Sequence, residues 1–202
     1  MYTDSLSPMS IQDHWAMATQ RLFDLFGLKA PPVHDLPAAD ATREPKTLAA
    51  VQYLSQTLDG AELCTQPVCQ SLAYLQQRFH WSQNINYTDQ EFLRGYAYCE
   101  IVGPTGHIAY PDLSMGLLLL QPHLIYPEHL HPANETYAVL SGRALWKQGA
   151  DVWKQRAPGD LINHASMESH AMRTLTEPLL AAYLWRDHLH VSAKLLTATS
   201  FA

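Results

Sequence analysis

The chain has 202 residues, enough for one domain with a substantial core, and its 47% hydrophobic and 16% charged content is that of a globular protein. A formal net charge of -6, with 13 Lys and Arg scattered along the chain, argues against nucleic acid as a partner, because binding by counterion release needs clustered cations. The longest aliphatic run, Leu117 to Leu120, is far too short to cross a bilayer, and Met1 to Ser7 has neither the basic nor the apolar part of a secretory leader, so no membrane association and a cytoplasmic location are expected.

In chain order, Ser10-Ile-Gln-Asp13 is a capping-box-like start, and Ile11, Trp15, Ala18, Leu22 and Leu25 follow at helical spacing, which predicts an amphipathic helix over 10 to about 27. Lys29 to Pro45, with Pro31, Pro32, Pro37 and Pro45, is expected to be a long surface loop. Two further helical patterns follow. Leu48, Val51, Leu54 and Leu58 are closed by Gly60, and Val68, Leu72, Leu75 and Phe79 are opened by Pro67. The three cysteines, Cys64, Cys69 and Cys99, are odd in number and lack metal-ligand spacing, so buried thiols are expected.

From Tyr96 the period shortens to two. Strand-like runs occur at Tyr96–Val102, Ser114–Leu120, Thr136–Leu140, Ala144–Trp146 and Leu179–Trp185, separated by turn signals such as Gly103-Pro104, Ser141-Gly142 and Pro158-Gly159-Asp160. Short strands at such spacing, without helices between them, indicate an antiparallel barrel or sandwich. The expected organisation is a helical region over 1–94 packed on a β-barrel over 95–202, forming one compact domain. The helical part could also supply a homodimer face or a lid.

The chain has eleven histidines, several of them crowded between His123 and His170. His129 and His131 stand two apart, so in an extended strand both face one side, and Glu135 lies at an even offset from each. Two imidazoles and a carboxylate suit a first-row divalent ion with positions left open for chemistry. His129-x-His131-x3-Glu135-x6-Gly142 resembles the first motif of the cupin superfamily, whose second motif places a Pro-Gly-Asp-like turn ahead of a final histidine ligand. Here Pro158-Gly159-Asp160 precedes both His164 and His170.

The string Tyr126-Pro-x-His-x-His-Pro-Ala-x-Glu-x-Tyr-x-Val-Leu-Ser-Gly-x-Ala-x-Trp146, with His170-Ala-Met-Arg-Thr174 and Glu177-Pro-Leu-Leu-Ala-Ala-Tyr-Leu-Trp-Arg186, resembles the bacterial cupin-type dimethylsulfoniopropionate (DMSP) lyases. The likeness is strong over about residues 95 to 190. It implies a mainly β fold: a double-stranded β-helix, or jelly-roll, cupin barrel with an N-terminal helical region. It favours His170 over His164 as the fourth metal ligand beside His129, His131 and Glu135, and leaves His164 as a solvent-facing residue or one that backs the ligands. The implied reaction is β-elimination of DMSP to dimethyl sulfide and acrylate, with one divalent transition metal (Fe, Zn, Mn, Co or Ni) binding the substrate carboxylate. Tyr137 is the first choice for the base and Tyr126 the alternate.

Aromatic faces attract a sulfonium cation. Trp146, Trp153, Tyr183 and Trp185 are candidates for that contact, and Arg173 is weighed as a carboxylate partner against an ordinary surface ion pair. Asn163 and His164 depart from the usual cupin pattern of an apolar residue followed by proline. Two rival readings share the same barrel: a cupin dioxygenase acting on a small thiol or carboxylate, and a cupin that binds a small molecule without catalysis.

Overall fold

The computed structural model describes residues 9–32, 35–40 and 42–196, so the expectation about Met1–Ser7, and part of that about the loop over 29–45, lie outside it. Helix α1 spans Ile11–Leu25. Its capping box forms as expected: Asp13 N–H donates to Ser10 Oγ at 3.2 Å, and Ser10 N–H donates to the Asp13 carboxylate at 2.8 Å. The stripe of Trp15, Ala18, Leu22 and Phe23 is buried, and α1 packs on α3 (Gln66–Ala73), which has proline in its first turn.

The pattern over 48–58 does not make one α-helix. It becomes a 3-10 segment, Ala49–Tyr53, running into a short α2, Leu54–Asp59. The spacing Leu48, Val51, Leu54 fits three residues per turn, and no side chain caps either start. A short α4, Gln90–Arg94, lay outside the sequence expectations, and the Asp89 side chain caps it by accepting from the N–H groups of Glu91 and Phe92.

The second half is two facing sheets. The larger runs β2 (Ile108–Ala109), β1 (Tyr96–Gly103), β3 (Ser114–Leu120), β10 (Leu179–Arg186), β5 (Asn134–Ser141), β8 (Leu161–His164). The smaller runs β11 (Lys194–Leu195), β4 (Ile125–Leu130), β9 (His170–Thr174), β6 (Ala144–Gln148), β7 (Lys154–Arg156). Every pairing is antiparallel except the short β1–β2 contact. This is the mainly β, antiparallel architecture expected from the alternating pattern, with the two facing sheets of the cupin barrel that the resemblance implies.

Alternation along β3 decides how the layers stack. Leu117 and Leu119 join Cys99, Ile101, Ala182 and Leu184 in a core shared with α1 and α3. Leu118 and Leu120 point the other way, into the barrel, among Tyr96, Tyr137, Ala181 and Met172. The all-leucine run is therefore buried on both faces because helices cover one side and the second sheet covers the other. Burying each such leucine stabilises the fold by about 1.5–3 kcal/mol.

Two glycines are tied to the architecture. Gly142 turns β5 into β6 at φ +80°, and a Cβ there would come within 2.0 Å of the Pro178 carbonyl oxygen. Gly116 lies opposite Tyr183, and a Cβ there would meet the Cys99 carbonyl oxygen at 1.9 Å and the Tyr183 hydroxyl at 2.8 Å. The expectation of three buried thiols needs one correction. Cys69 and Cys99 are buried, but Cys64 is exposed, since it lies in the connection between α2 and α3 and off the apolar stripe. Among the described residues no helix is long and apolar enough to cross a membrane.

Candidate functional site

Glu135 lies in β5 between two partners directly opposite it, Trp185 on β10 and His164 on β8. Residues opposite one another across a ladder share a face, so all three side chains project into the barrel. On the second sheet His129 of β4 lies opposite His170 of β9. His131 follows one residue past the end of β4. The facing sheets thereby bring the ligand atoms of His131, Glu135 and His170 within 4.8 Å of one another, all three buried. His129 is buried beside them, with its ring centroid 4.1 Å from that of His170.

The hydrogen bonds dictate which nitrogens face the centre. The Nδ1 atoms of His129, His131 and His170 lie 2.9, 3.1 and 3.1 Å from the carbonyl oxygens of Pro127, Ala133 and Glu168. A carbonyl only accepts, so each Nδ1 carries a hydrogen and each Nε2 is left to face the interior. His131 Nε2 is 3.0 Å and His170 Nε2 3.1 Å from the same oxygen, Glu135 Oε2. The second contact is too poorly aligned for a hydrogen bond, so His170 Nε2 remains a buried nitrogen without a hydrogen-bond partner. Nitrogens and a carboxylate oxygen this close need positive charge, either as protons on the rings or as a shared cation.

With protonated rings, burial would push the Glu135 carboxyl up, but its contacts with His131 and then His170 outweigh this and hold it well below the usual carboxylate range. Burial, reinforced by the neighbouring His170, holds His129 well below the ordinary histidine value, in the neutral form a metal requires. An anionic oxygen donor, imidazoles with fixed tautomers and an orphaned inward nitrogen together fit a divalent transition metal.

His164 is not solvent-facing. It is buried, stacked on the His170 ring at 3.9 Å and 14°, and neither ring nitrogen has a hydrogen-bond partner. Strand alternation explains the placement: in β8, Ile162 and His164 turn inward while Leu161 and Asn163 turn outward. Burial, and after it the charge of His170, lowers the His164 pKa to about 3. Arg173 stands exposed on β9 and Trp153 is exposed, both away from this centre.

Above the ligands opens a cavity of about 610 Å³. Tyr126, His129, Glu135, Tyr137, Tyr183 and Trp185 line it. Tyr126 reaches it through a β-bulge. It lies three residues before His129, an odd offset that would face it away, but an extra residue in β4 rephases the strand, and its ring stacks on His129 at 4.2 Å and 7°. Its hydroxyl is 2.9 Å from that of Tyr87. Tyr137 has its ring centroid 6.3 Å from that of His170. Burial, then the negative charge of Glu135, pushes the Tyr137 phenol well up, and burial with Tyr96 does the same for Tyr126. Trp146 is buried behind Tyr137, with ring centroids 5.7 Å apart, and is not a lining residue.

Tyr96, Tyr98 and Glu100, which are not among the candidates drawn from the sequence, also line the cavity. Their period-two spacing on β1 was the available signal, since it puts all three on one face.

The dimethylsulfoniopropionate lyase family model matches residues 33–181. DddL of Cereibacter sphaeroides, named as a DMSP lyase, is 32% identical over 146 residues, covering 71% of this chain and 61% of the relative. The DMSP lyase DddQ of Ruegeria pomeroyi is 34% identical over 103 residues, covering 50% of this chain and 51% of the relative. The chain thus spans between half and about three-fifths of the curated relatives it matches. Among solved structures, one chain from the crystal structures of the DMSP lyases RdDddP and RnDddQII superposes with a TM-score of 0.80 at 26% identity, covering 93% of this chain and 100% of that one. The crystal structure of DddQ from Ruegeria pomeroyi shares the fold, with a TM-score of 0.75 at 24% identity, covering 88% of this chain and 95% of that one. On the strength of the match over residues 33–181, the chain belongs to the DMSP lyase family.

Proposed function

We propose that this chain cleaves DMSP by β-elimination to dimethyl sulfide and acrylate, with His129, His131, Glu135 and His170 holding one divalent transition metal and Tyr137 acting as base. The carrying observation is the meeting of His131, Glu135 and His170 at the wall of an aromatic cavity, in a chain of this family. When bound, the ion supplies Lewis acidity, holding the substrate carboxylate and offsetting the charge that builds as the α-carbon loses its proton. The donor set accepts Fe, Zn, Mn, Co or Ni, so the choice among them rests on availability.

The remaining work falls to side chains of the cavity wall. Tyr137 Oη takes the proton from the α-carbon, the C–H electron pair becomes the new C=C bond, and the C–S bond breaks with its pair going to sulfur. The cationic sulfonium thereby leaves as a neutral thioether, and the proton passes from Tyr137 to solvent. Burial and Glu135 favour the neutral phenol, so Tyr137 becomes a base only where positive charge beside it outweighs both. Tyr126, stacked on His129 and paired with Tyr87, is the alternate base or a substrate-positioning group. Tyr183 and Trp185 offer the sulfonium aromatic faces, whereas Trp146 supports Tyr137 from behind.

The test is to incubate metal-loaded protein with DMSP and assay headspace dimethyl sulfide and soluble acrylate together. Equal amounts are expected, with both lost in His131→Ala and the rate reduced about 10²- to 10⁴-fold in Tyr137→Phe. Wild-type rates in Tyr137→Phe would transfer the base to Tyr126. A folded wild-type chain that releases neither product with any of the five metals would sink the lyase reading, and oxygen uptake during turnover would favour a dioxygenase.

A further inference from the structure

Trp185 has so far been a cavity wall, yet its contacts point elsewhere. Its Nε1–H donates to Glu135 Oε1 at 2.5 Å, and its ring packs on the His131 ring with centroids 4.2 Å apart at 32°. One side chain therefore touches two members of the cluster, a carboxylate and an imidazole. The two oxygens of Glu135 have separate partners: Oε1 faces the indole, and Oε2 faces both histidine nitrogens.

The chemistry of the indole makes this division meaningful. An indole N–H can donate and never accept, so it cannot be a ligand or a base, and it suits a carboxylate oxygen that must be satisfied without moving a proton. Glu135 is 3% exposed, so water cannot replace the indole cheaply, and an unpaired carboxylate oxygen there would bear the full cost of its lost solvation. The contrast lies within the same protein, where the Nε1 atoms of Trp81 and Trp146 are buried without partners. Burial alone does not pair an indole in this fold. Direct opposition of Trp185 and Glu135 across β10 and β5 brings this one into reach.

We propose that Trp185 is a positioning residue for the metal centre: its N–H occupies Glu135 Oε1, so that Glu135 presents Oε2 alone to the ion, while its ring fixes the plane of His131. Held to one oxygen, the carboxylate leaves a coordination position for substrate that a two-oxygen grip would fill. The inference rests on the metal-site reading and deepens it, since the loss expected at Trp185 is first a loss of metal affinity and only then of substrate contact.

Trp185→Phe keeps an aromatic ring and removes the donor. Competition between the protein and a chromophoric zinc chelator is expected to show zinc affinity reduced on the order of 10- to 100-fold, the range typical of partners that orient metal ligands. A second measurement needs no folded variant. In the wild-type protein labelled with nitrogen-15, the Trp185 indole proton should resonate downfield of those of Trp81 and Trp146, as a donor to a carboxylate does, with and without zinc. Unchanged zinc affinity in Trp185→Phe, with only KM for DMSP raised, would return Trp185 to the role of a substrate wall. An indole proton no further downfield than those of Trp81 and Trp146 would overturn the proposal at its root. Wild-type protein that takes up no zinc or other divalent ion would remove the metal reading as well, which separates the two failures.

Discussion

On β3, Leu117 and Leu119 meet the helical layer, whereas Leu118 and Leu120 face an interior that also holds Tyr126, Tyr137 and Met172. All four leucines are almost wholly buried, yet their surroundings differ. The helix-facing side is mostly aliphatic, with aromatic rings at Trp15, Phe79 and Trp81 packed edge to face or against His107. The barrel side carries a carboxylate, four buried histidines and a cavity. One sheet thus separates a layer that supplies stability from a layer that carries a buried set of converging polar groups, and substitutions on its two faces should fail in different ways.

The largest effect is expected on the barrel side. Glu135→Gln keeps the shape of the side chain but removes the anion on which the histidines converge, so DMSP cleavage should fall by at least about 10³-fold. The metal-free protein should lose some melting temperature, because the contacts of Glu135 with His131 and His170 outweigh the cost of burying the carboxylate, but it should stay folded at the assay temperature. Product assays beside a circular-dichroism melt would check both halves. A loss of activity that merely tracked a loss of fold would show that Glu135 belongs to the stabilising layer.

Leu119→Ala on the other face should invert that pattern. A buried leucine truncated in a packed core costs about 2–5 kcal/mol, while kcat of the folded fraction should stay within about twofold of wild type. Leu118→Ala, one residue away, borders the existing cavity and can enlarge it, so it should cost less stability and raise KM for DMSP more. Urea titrations with steady-state kinetics would separate the pair, and equal effects of the two would erase the distinction between the faces.

How much of this was legible in the sequence follows from the range of the interactions. Ser10 with Asp13, Pro67 in the first turn of α3, and the His131-x3-Glu135 spacing are local signals, and each appears where local chemistry puts it. The α4 cap at Asp89 is just as local but gives no helix expectation, because five residues carry too little periodicity. Other features depend on partners far along the chain. His164 turns inward because β8 pairs with β5 in one register, and a one-residue slip would have put Asn163 there instead. Tyr126 joins His129 only through a bulge, which strict alternation cannot foresee. The sequence offers Trp185 as one candidate aromatic face among several, whereas its register opposite Glu135 commits its N–H to a carboxylate.

The smallest expected effect concerns the helix-facing side and appears only in acid. His107 is 2% exposed, stacked on Trp15 with centroids 4.5 Å apart, and its Nε2 accepts the His80 backbone N–H at 3.2 Å. Burial, and after it the charge of Arg43, lowers its pKa from 6.5 to about 4. In the unfolded chain this histidine binds a proton below about pH 6.5, whereas in the folded chain it does so only below about pH 4. The unfolded state therefore holds more protons between those limits, so stability that is fully present above pH 6.5 falls as the pH drops toward 4, by up to about 3 kcal/mol. His107→Gln keeps an acceptor for His80 without a titrating ring. Urea midpoints should differ modestly at pH 7.5, and the variant should lose less stability than wild type between pH 6.5 and 4.5. Its titration would be separate from that of the barrel, where His164 stays neutral to about pH 3 beside the ligands. Parallel pH curves for His107→Gln and wild type would place the acid sensitivity on the barrel side and make that layer, rather than the helical one, the first to yield.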